Sequence, residues 1–483
     1  MRRPNILFFM VDQMQARLLE SDHPCRTPNF DRLAKEGVRF TRAYTPNNIC
    51  SPTRASLMTG LLPHNHGVLE VLYPRTPDQH NLRLDKPHWA QRLSESGYRT
   101  GYFGKWHVEK SNDLNRFGWE VDGGQAGVLF KEAVQDLLGG EPLVPECDVT
   151  CYLDEPAGYR PHLFYGVTER HADERFMGVT TTMALDFVED ASEVSDPWCC
   201  FVSLFEPHDP FIASQDAYDS YDGVDLPEPV NGDDDLVDRP GLYRKIQRVW
   251  KQLSAEERRE ARRCYYASIT EIDAQFGRVY DALSESGKLE ETVIVVTADH
   301  GDLLGAHGLF FKDISVFEEV YNVPLIVRGP GVEQDAVCEG RVAVHDLCPT
   351  LLDVAGLKPF DVPDSQSFKD LLSQPDALRP DHQRGYSQYF GNRHRLTQRV
   401  VWDGPWKFVF NGFDFDELYN LDDDPYEMTN LALLPDHASD LERMTKVFWR
   451  MALDVDDTPL IETHYPMLRL GVVGPDAAES REQ

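Results

Sequence analysis

The sequence predicts an α/β protein: a large, mainly parallel central sheet flanked by helices, with a smaller C-terminal α+β subdomain. Three observations predict it. Continuous apolar runs, of the kind found in strands buried on both faces, recur through most of the chain. Capped amphipathic segments separate them, and this alternation implies parallel strands joined by helices. From about Arg384 the pattern changes to short strands followed by one helix. The division falls at residues 1–380 for the larger α/β unit and 381–483 for the smaller one, with its small antiparallel sheet and helix.

Asn5–Val11 is a continuous apolar strand. Thr27-Pro28 opens a helix with a cap and proline at the first helical position; Phe30, Leu33 and Ala34 form its stripe and Gly37 ends it. Val38–Tyr44 resumes as a strand. Residues 89–96 form a helix closed by Gly97, and 98–103 the next strand. Residues 198–205 are an apolar strand running into Glu206-Pro207-His208. The capping box Ser254-x-x-Glu257 starts a long helix, in one or two segments, that ends at Ser286 before Gly287. Residues 292–297 and 323–327 are strands. In the C-terminal part, 398–402 and Trp406–Asn411 are strands, 437–453 is a helix, and 477–483 is a frayed tail.

Composition narrows the function. With 48 Lys+Arg against 81 Asp+Glu the net charge is −33, which repels nucleic acid and anionic membranes. At 41% hydrophobic residues the chain can bury a substantial core. Arginine far outnumbers lysine, so the acidity fits either a high-salt habitat or an ordinary acidic protein. No apolar run approaches the ~20 residues of a membrane span. The apolar stretch 6–11 ends in Asp12 without a small-residue cleavage site, so no signal peptide is read and a cytoplasmic location is expected. Nine irregularly spaced cysteines argue against a disulfide framework.

Ligands of open α/β sheets bind at the carboxyl ends of strands. The polar residues just past the expected strand ends are Asp12 and Gln13, Lys105 and His107, His208, and Asp299 and His300. Oxygen atoms from Asp12, Gln13 and Asp299, with one nitrogen from His300, suit a hard divalent cation: Ca²⁺, Mg²⁺ or Mn²⁺, the imidazole pulling toward Mn²⁺ or Zn²⁺. The competing reading makes Asp12 and Asp299 caps of following helices. In Cys50-Ser51-Pro52-Thr53-Arg54, Ser51 is read as an N-cap with Pro52 at the first helical position. Cys50 then stands just before a helix N-terminus that favours anions, and Arg54 about one turn on faces the same place. A buried inert thiol and an unmodified thiolate nucleophile are the alternatives.

Cys50-x-Pro52-x-Arg54 resembles the C-x-P-x-R signature of the type I sulfatases, members of the alkaline phosphatase superfamily. Pro4-Asn5-Ile6-Leu7 with Asp12, Gly104-Lys105-Trp106-His107, Pro207-His208-Asp209-Pro210 and Ala298-Asp299-His300-Gly301-Asp302 resemble the same family, in order. So do Gly308-Leu309 with Lys312 and Leu418-Tyr419-Asn420-Leu421. The resemblance implies that a formylglycine-generating enzyme converts Cys50 to formylglycine. It implies that Asp12, Gln13, Asp299, His300 and residue 50 hold one metal, Ca²⁺ ahead of Mn²⁺ or Mg²⁺. Arg54 and Lys105 would hold the formylglycine hydrate, His107 would act as its base, and His208 and Lys312 would bind sulfate and protonate the leaving group.

The implied activity is hydrolysis of a small organic sulfate monoester, aryl, alkyl or sugar, by in-line attack on sulfur. Base-assisted collapse of the resulting sulfated hemiacetal then expels sulfate. Gln13 and His300 stand where many members have Asp and Asn, and resemble the phosphonate monoester hydrolase and choline sulfatase branches. A phosphonate monoester or phosphodiester hydrolase is therefore the alternative. Specificity is expected in the loops 69–88, 123–171 and 211–244 and in the C-terminal subdomain, with Tyr73, Trp89, Tyr152, Tyr159 and Tyr165 as aromatic candidates. His64 and His66 are read as cleft-lining rather than metal-binding, His307 as a loop brace, His345-Asp346 as a cap, and Cys199-Cys200 as core. Cys147 and Cys151 lack partners for a zinc site.

Overall fold

The structure, a computed structural model, describes residues 3–73, 81–139, 145–154, 158–312, 314–392, 394–462 and 465–479. In chain order its strands begin with β1 (Asn5–Val11), β2 (Val38–Tyr44), β3 (Arg99–Gly104), β4 (Val121–Gly124), β5 (Val149–Leu153), β6 (His162–Thr168), β7 (Trp198–Ser203) and β8 (Phe211–Ser214). They continue as β9 (Thr292–Ala298), β10 (Asn322–Arg328), β11 (Ala336–Cys338), β12 (Val342–Ala343), β13 (Arg384–Tyr389), β14 (Gln398–Asp403), β15 (Trp406–Asn411) and β16 (Glu417–Asn420).

The central sheet runs β11-β2-β10-β9-β1-β7-β3-β4, with β12 also on β2. Only β10 runs against its neighbours, antiparallel to both β2 and β9, so the expected mainly parallel sheet is present. The four strands β9, β1, β7 and β3 form its parallel centre. Every residue of β1, β7 and β9 is buried, which is why these segments read as unbroken apolar runs. Phe201 of β7 joins the centre to one helical layer, stacking on Phe8 at 4.5 Å and Tyr102 at 4.7 Å beneath Trp89 and Trp119. Trp89, offered above as a specificity residue, is therefore core.

The capping box at Ser254 is formed, and it starts one continuous helix, Ala255–Glu285, rather than two. Its interior holds no proline, and its single glycine, Gly277, allows Asn29 to approach where a Cβ would lie 2.8 Å away. The sequence reading lacked a small three-stranded sheet, β5-β6-β8, whose half-exposed first strand carries no clean apolar pattern. The expected frayed tail is shorter: Asp476–Glu479 form a helical turn with Ala478 buried, and residues 480–483 lie outside the described residues.

The C-terminal sheet, β13-β14-β15-β16, is fully antiparallel and packs on the helix Ala438–Asp454 through Phe408, Phe410, Phe448 and Trp449. Its first strand is stitched to the segment that leads into Cys50. Gln388 N donates to Pro46 O at 2.9 Å, Asn47 Nδ2 to Gln388 O at 2.6 Å, and Ser387 Oγ to Thr45 O at 2.7 Å. Behind them Arg399 and Asp457 form a fully buried pair, Nε to Oδ2 2.7 Å and the second guanidinium nitrogen to Oδ1 3.2 Å. No helix among the described residues is long and apolar enough to cross a membrane.

One glycine sets the sheet's active edge. Gly104, the last residue of β3, has φ +99°, and a Cβ there would lie 2.1 Å from Ser203 O. The turn it permits lets Lys105 N reach Ser203 O at 2.9 Å. Gly104→Ala is expected to destabilise the fold by about 2 kcal/mol or more and to lower the thermal unfolding midpoint, as measured by calorimetry.

Candidate active site

The carboxyl ends of β1, β3, β7 and β9 lie on one edge because these four neighbours are parallel. Asp12, Lys105, the His208 loop and Asp299 therefore emerge side by side. Facing them is the helix Cys50–Thr59. It begins two residues earlier than the sequence suggested, at Cys50 rather than Pro52, and Ser51 is not its cap. Ile49 takes the cap position without a side-chain cap bond; Asn47 Oδ1 accepts from Ile49 N at 2.7 Å in the turn before the helix, and Ser51 Oγ accepts from Leu72 N at 3.1 Å. Gly60, at φ +72°, ends the helix as expected.

Arg54, 1% exposed, is surrounded by acceptors. Its Nε donates to Asp299 Oδ2 at 2.8 Å, and its terminal nitrogens reach Asp12 Oδ2 at 3.3 Å, Ser203 Oγ at 2.7 Å and Lys105 O at 3.0 Å. Arg54 thus holds the two carboxylates rather than facing the cavity. Lys105 Nζ donates to the same Asp12 oxygen. Burial penalises the Asp12 charge, but Lys105, His208, Arg54 and Lys312 outweigh it and hold the carboxyl well below its usual range.

The other Asp12 oxygen, Oδ1, is buried and has no hydrogen-bond partner. So is His300 Nε2, 3.4 Å from it and 3.5 Å from Asp299 Oδ1. His300 Nδ1 lies 2.9 Å from Gly301 O and so carries the proton, which leaves Nε2 as a bare lone pair. Asp12, Asp299 and His300 offer ligand atoms within 4.8 Å of one another. A carboxylate oxygen and an imidazole nitrogen, both orphaned at one buried point, are what a divalent cation would satisfy. The Gln13 side chain, expected among these ligands, donates through Nε2 to Asp302 Oδ2 at 2.7 Å and accepts at Oε1 from Lys312 Nζ at 3.0 Å.

Cys50 Sγ stands 3.3 Å from His107 Nδ1. His107 Nε2 lies 3.0 Å from Leu72 O, a pure acceptor, so the proton sits on Nε2 and Nδ1 faces residue 50 as a base. Burial pushes the Cys50 thiol up, but Lys105, His107 and Lys312 bring it well below the ordinary thiol range. Burial and the neighbouring Lys312 and Lys105 lower His208, against the opposing pull of Asp209. Its Nδ1 is turned to Asp209, 3.1 Å from the backbone oxygen and 3.2 Å from Oδ1. Lys312 is raised above the usual lysine range despite burial, by residue 50, Asp12, Asp209 and Asp299.

A cavity of about 520 Å³ opens onto Cys50, Lys105, His107, His208 and Lys312. Its outer wall includes Tyr73, Trp106, Phe205, Phe311 and Asn392. Of the loops expected to set specificity, 69–88 contributes Val71, Leu72 and Tyr73, with residues 74–80 outside the described residues, and 123–171 contributes Gly124–Gly127 in numbers 124–127. Tyr165 is buried in β6, and Tyr152 and Tyr159 face solvent away from the cavity wall. No described residue of 211–244 lines it, because 211–214 form β8.

His64 and His66 do not line it either. His66 Nε2 bonds Ser56 Oγ at 2.9 Å behind the helix, and His64 Nδ1 meets Gln388 Oε1 at 3.0 Å. His307 braces its loop, 2.7 Å from Asp234 and stacked on Phe317. It belongs to a second buried group with Glu319 and Glu427, where Asn231 Nδ2 stands 3.0 Å from both His307 Nε2 and Glu319 Oε1 and Lys407 Nζ stands 2.7 Å from Glu427. All nine cysteines are unpaired, and Cys199 and Cys200 are core. Sequence reasoning passed over Asp302, Asp209, Ser203 and the Leu72 carbonyl. Asp302 and Asp209 stand inside quoted motifs, but a backbone oxygen leaves no sequence signal.

Residues 4–357 match the family model described as Sulfatase, and residues 305–453 match one described as N-sulphoglucosamine sulphohydrolase, C-terminal. The chain is 29% identical over 460 residues to a choline-sulfatase of Rhizobium meliloti, covering 90% of this chain and 83% of that protein. It is likewise 29% identical over 481 residues to an arylsulfatase of Clostridium perfringens, covering 92% and 93%. A solved phosphonate monoester hydrolase from Silicibacter pomeroyi superposes with a TM-score of 0.76 at 25% identity, covering 93% of this chain and 95% of that one.

Two outcomes are expected for the unconverted, metal-free protein. Iodoacetamide should alkylate Cys50 with a pH midpoint well below the free-thiol value, and Lys105→Ala or His107→Gln should move that midpoint upward, since each removes a group that favours the thiolate. Adding Ca²⁺ or Mn²⁺ should raise the thermal unfolding midpoint, by the equivalent of ~2.7 kcal/mol at a hundredfold excess over Kd, and His300→Ala should diminish the rise.

Proposed function

Because the chain belongs to the sulfatase family and is a sulfuric ester hydrolase, we propose that it cleaves an organic sulfate monoester to an alcohol or phenol and inorganic sulfate, through a formylglycine made from Cys50 beside one divalent metal ion. The observation that carries this reading is the convergence of Cys50, His107, Lys105, His208 and Lys312 on one cavity, next to the orphaned atoms of Asp12 and His300. Maturation then requires a formylglycine-generating enzyme acting on Cys50. Asp12, Gln13, Asp299 and His300 would hold the metal, Ca²⁺ ahead of Mn²⁺ or Mg²⁺, with residue 50 beside them. When bound, it supplies Lewis acidity that favours an ionised oxygen at residue 50 and offsets charge on the sulfuryl oxygens.

The remaining work falls to side chains. A formylglycine hydrate at position 50 offers two hydroxyls, one to attack sulfur and one to drive release of sulfate. His107 Nδ1, with Nε2–H committed to the Leu72 carbonyl, takes a proton from residue 50. Arg54 and Lys105 keep Asp12 ionised and fixed. Lys312, held protonated by its acidic neighbours, donates to the sulfuryl oxygens and to the departing oxygen, with His208 alongside it. In this reading residues 1–380 carry the catalytic groups and 381–483 form a subdomain that reaches the cavity through Asn392.

The substrate is a small sulfate ester (aryl, alkyl or sugar), and the choline-sulfatase and arylsulfatase relatives support that class. Gln13, His300 and the likeness to a phosphonate monoester hydrolase favour hydrolysis of phosphonate monoesters or phosphodiesters as the second reading.

After co-expression with a formylglycine-generating enzyme, peptide mass spectrometry should find Cys50 converted, and kcat/KM should be higher for 4-nitrophenyl sulfate than for the matched aryl phosphonate. The reverse order decides for the second reading. His107→Ala should lower kcat by roughly 10²–10⁴. Added moderate salt should leave kcat/KM for the sulfate ester unchanged or higher, because it screens the distant acidic surface more than the buried site.

A further inference from the structure

His208 can serve the departing oxygen of an ester only by donating to it, and its surroundings restrict how it can do so. Leu204 N donates to Met10 O at 2.9 Å and His208 N to Phe205 O at 3.2 Å, so the chain turns just past β7 and sets the His208 ring beside that of Phe205, centroids 5.0 Å apart. Nδ1 of His208 faces two acceptors of the next residue, Asp209 O at 3.1 Å and Asp209 Oδ1 at 3.2 Å. It therefore carries a hydrogen in either charge state of the ring. In the neutral ring Nε2, the nitrogen left for the cavity, is a bare lone pair that can only accept. Donation from Nε2 requires the imidazolium.

Most of the neighbourhood opposes that charge. Burial, Lys312 and Lys105 disfavour it, while the carboxylates of Asp209 and Asp12 favour it. Asp12 is engaged by Arg54 and Lys105, whereas Asp209 sets an oxygen directly against the ring. The small sheet places that carboxylate. Tyr165 of β6 pairs with Phe211 of β8 in parallel register, so His162 and Asp209 come off the same end of the two strands. His162 Nε2 stands 3.6 Å from Asp209 Oδ2, the oxygen not turned to His208. Asp209 thus lies between two imidazoles, one on the cavity wall and one on β6.

We propose that Asp209 is a positioning residue for proton donation: its carboxylate holds His208 as the imidazolium, with Nδ1–H committed to Asp209 and Nε2–H presented to the departing oxygen. The proposal rests on the sulfate-ester reading of the site. As the S–O bond breaks, its electron pair goes to the ester oxygen and the Nε2 proton passes to that oxygen. The ring is left neutral, with its Nδ1–H in place. Without the carboxylate, the Asp209 carbonyl would still hold the Nδ1 hydrogen, and His208 would face the substrate as an acceptor.

Leaving groups provide the test. Protonation matters little to 4-nitrophenolate, a weak base, and more to phenolate, a stronger one. The quantity to compare is kcat/KM, which reports the steps through cleavage of the S–O bond. Asp209→Asn removes the charge and keeps the shape and an oxygen for Nδ1. It should lower kcat/KM for phenyl sulfate about tenfold or more and for 4-nitrophenyl sulfate less than about threefold. Taken on one preparation, the ratio of the two is independent of the fraction of protein that is folded or converted at Cys50. A merely structural loss would leave that ratio unmoved.

In a His208→Ala background, Asp209→Asn should change the ratio by less than about twofold, as action through one residue requires. Equal losses on the two esters, a phenyl sulfate rate within about twofold of wild type, or a ratio that falls again without His208 overturns the proposal. Converted wild-type protein that prefers aryl phosphonates to aryl sulfates refutes the function proposed above. The phenyl to 4-nitrophenyl ratio on phosphonate esters, variant against wild type, then decides the role of Asp209 by itself.

Discussion

Two carboxylates, Asp12 and Asp299, stand fully buried at the ends of adjacent strands, and the design of the whole edge follows from the need to compensate them. Taking such charges out of water costs several kcal/mol each unless they are paired and hydrogen-bonded. Arg54 bridges both from the helix that also carries Cys50, and Lys105 adds its charge at Asp12. The same guanidinium reaches Ser203 at the end of β7 and the Lys105 carbonyl just past β3. One side chain thereby joins all four central strands to the helix. Any displacement of that helix unpairs a buried charge, so the position of residue 50 relative to the carboxylates is enforced electrostatically as well as by packing.

The central strands were legible because they are buried on both faces, and the apolar run 5–11 coincides with β1 residue for residue; β2, only partly buried, also falls where the sequence placed it. The capping box at Ser254 and the αL glycine at Gly60 were equally plain, each being a local interaction between residues a few positions apart. The candidate site was legible for a topological reason: parallel strands put their carboxyl-terminal residues on one edge, so Asp12, Lys105, His208 and Asp299 could be grouped without knowing the strand order. What stayed hidden depends on contacts distant in the chain. The turn that leads into the Cys50 helix is held by Asn47, itself pinned by Gln388, a residue more than 300 positions away. Trp89 and Tyr165 look like cavity aromatics in sequence and are core in space, since nothing local distinguishes an inward ring from an exposed one. The polarity of the Gln13 amide is a property of Asp302 and Lys312 together and has no expression in any one motif.

The overall charge of −33 and the site's affinity for anions are compatible because they act at different ranges. Lys105, His107, His208 and Lys312 meet within a single cavity, whereas acidic residues such as Asp233, Asp235, Asp422 and Asp423 lie on the surface where salt screens them over about 8–10 Å. The acidity thus describes how the protein meets its solvent, and the cavity how it meets its substrate.

The hydrogen bond from His107 to the Leu72 carbonyl ties two properties that are usually thought of separately. Leu72 belongs to the stretch that walls the cavity and shapes what can enter, and its backbone oxygen also dictates which imidazole nitrogen is free to accept a proton. Side chains along this wall can be exchanged without consequence for the base, because the bond is made by the main chain. Insertions or deletions that shift the backbone at this point change the tautomer. Divergence toward new substrates is therefore channelled into substitution at Val71 and Tyr73 and away from changes in loop length.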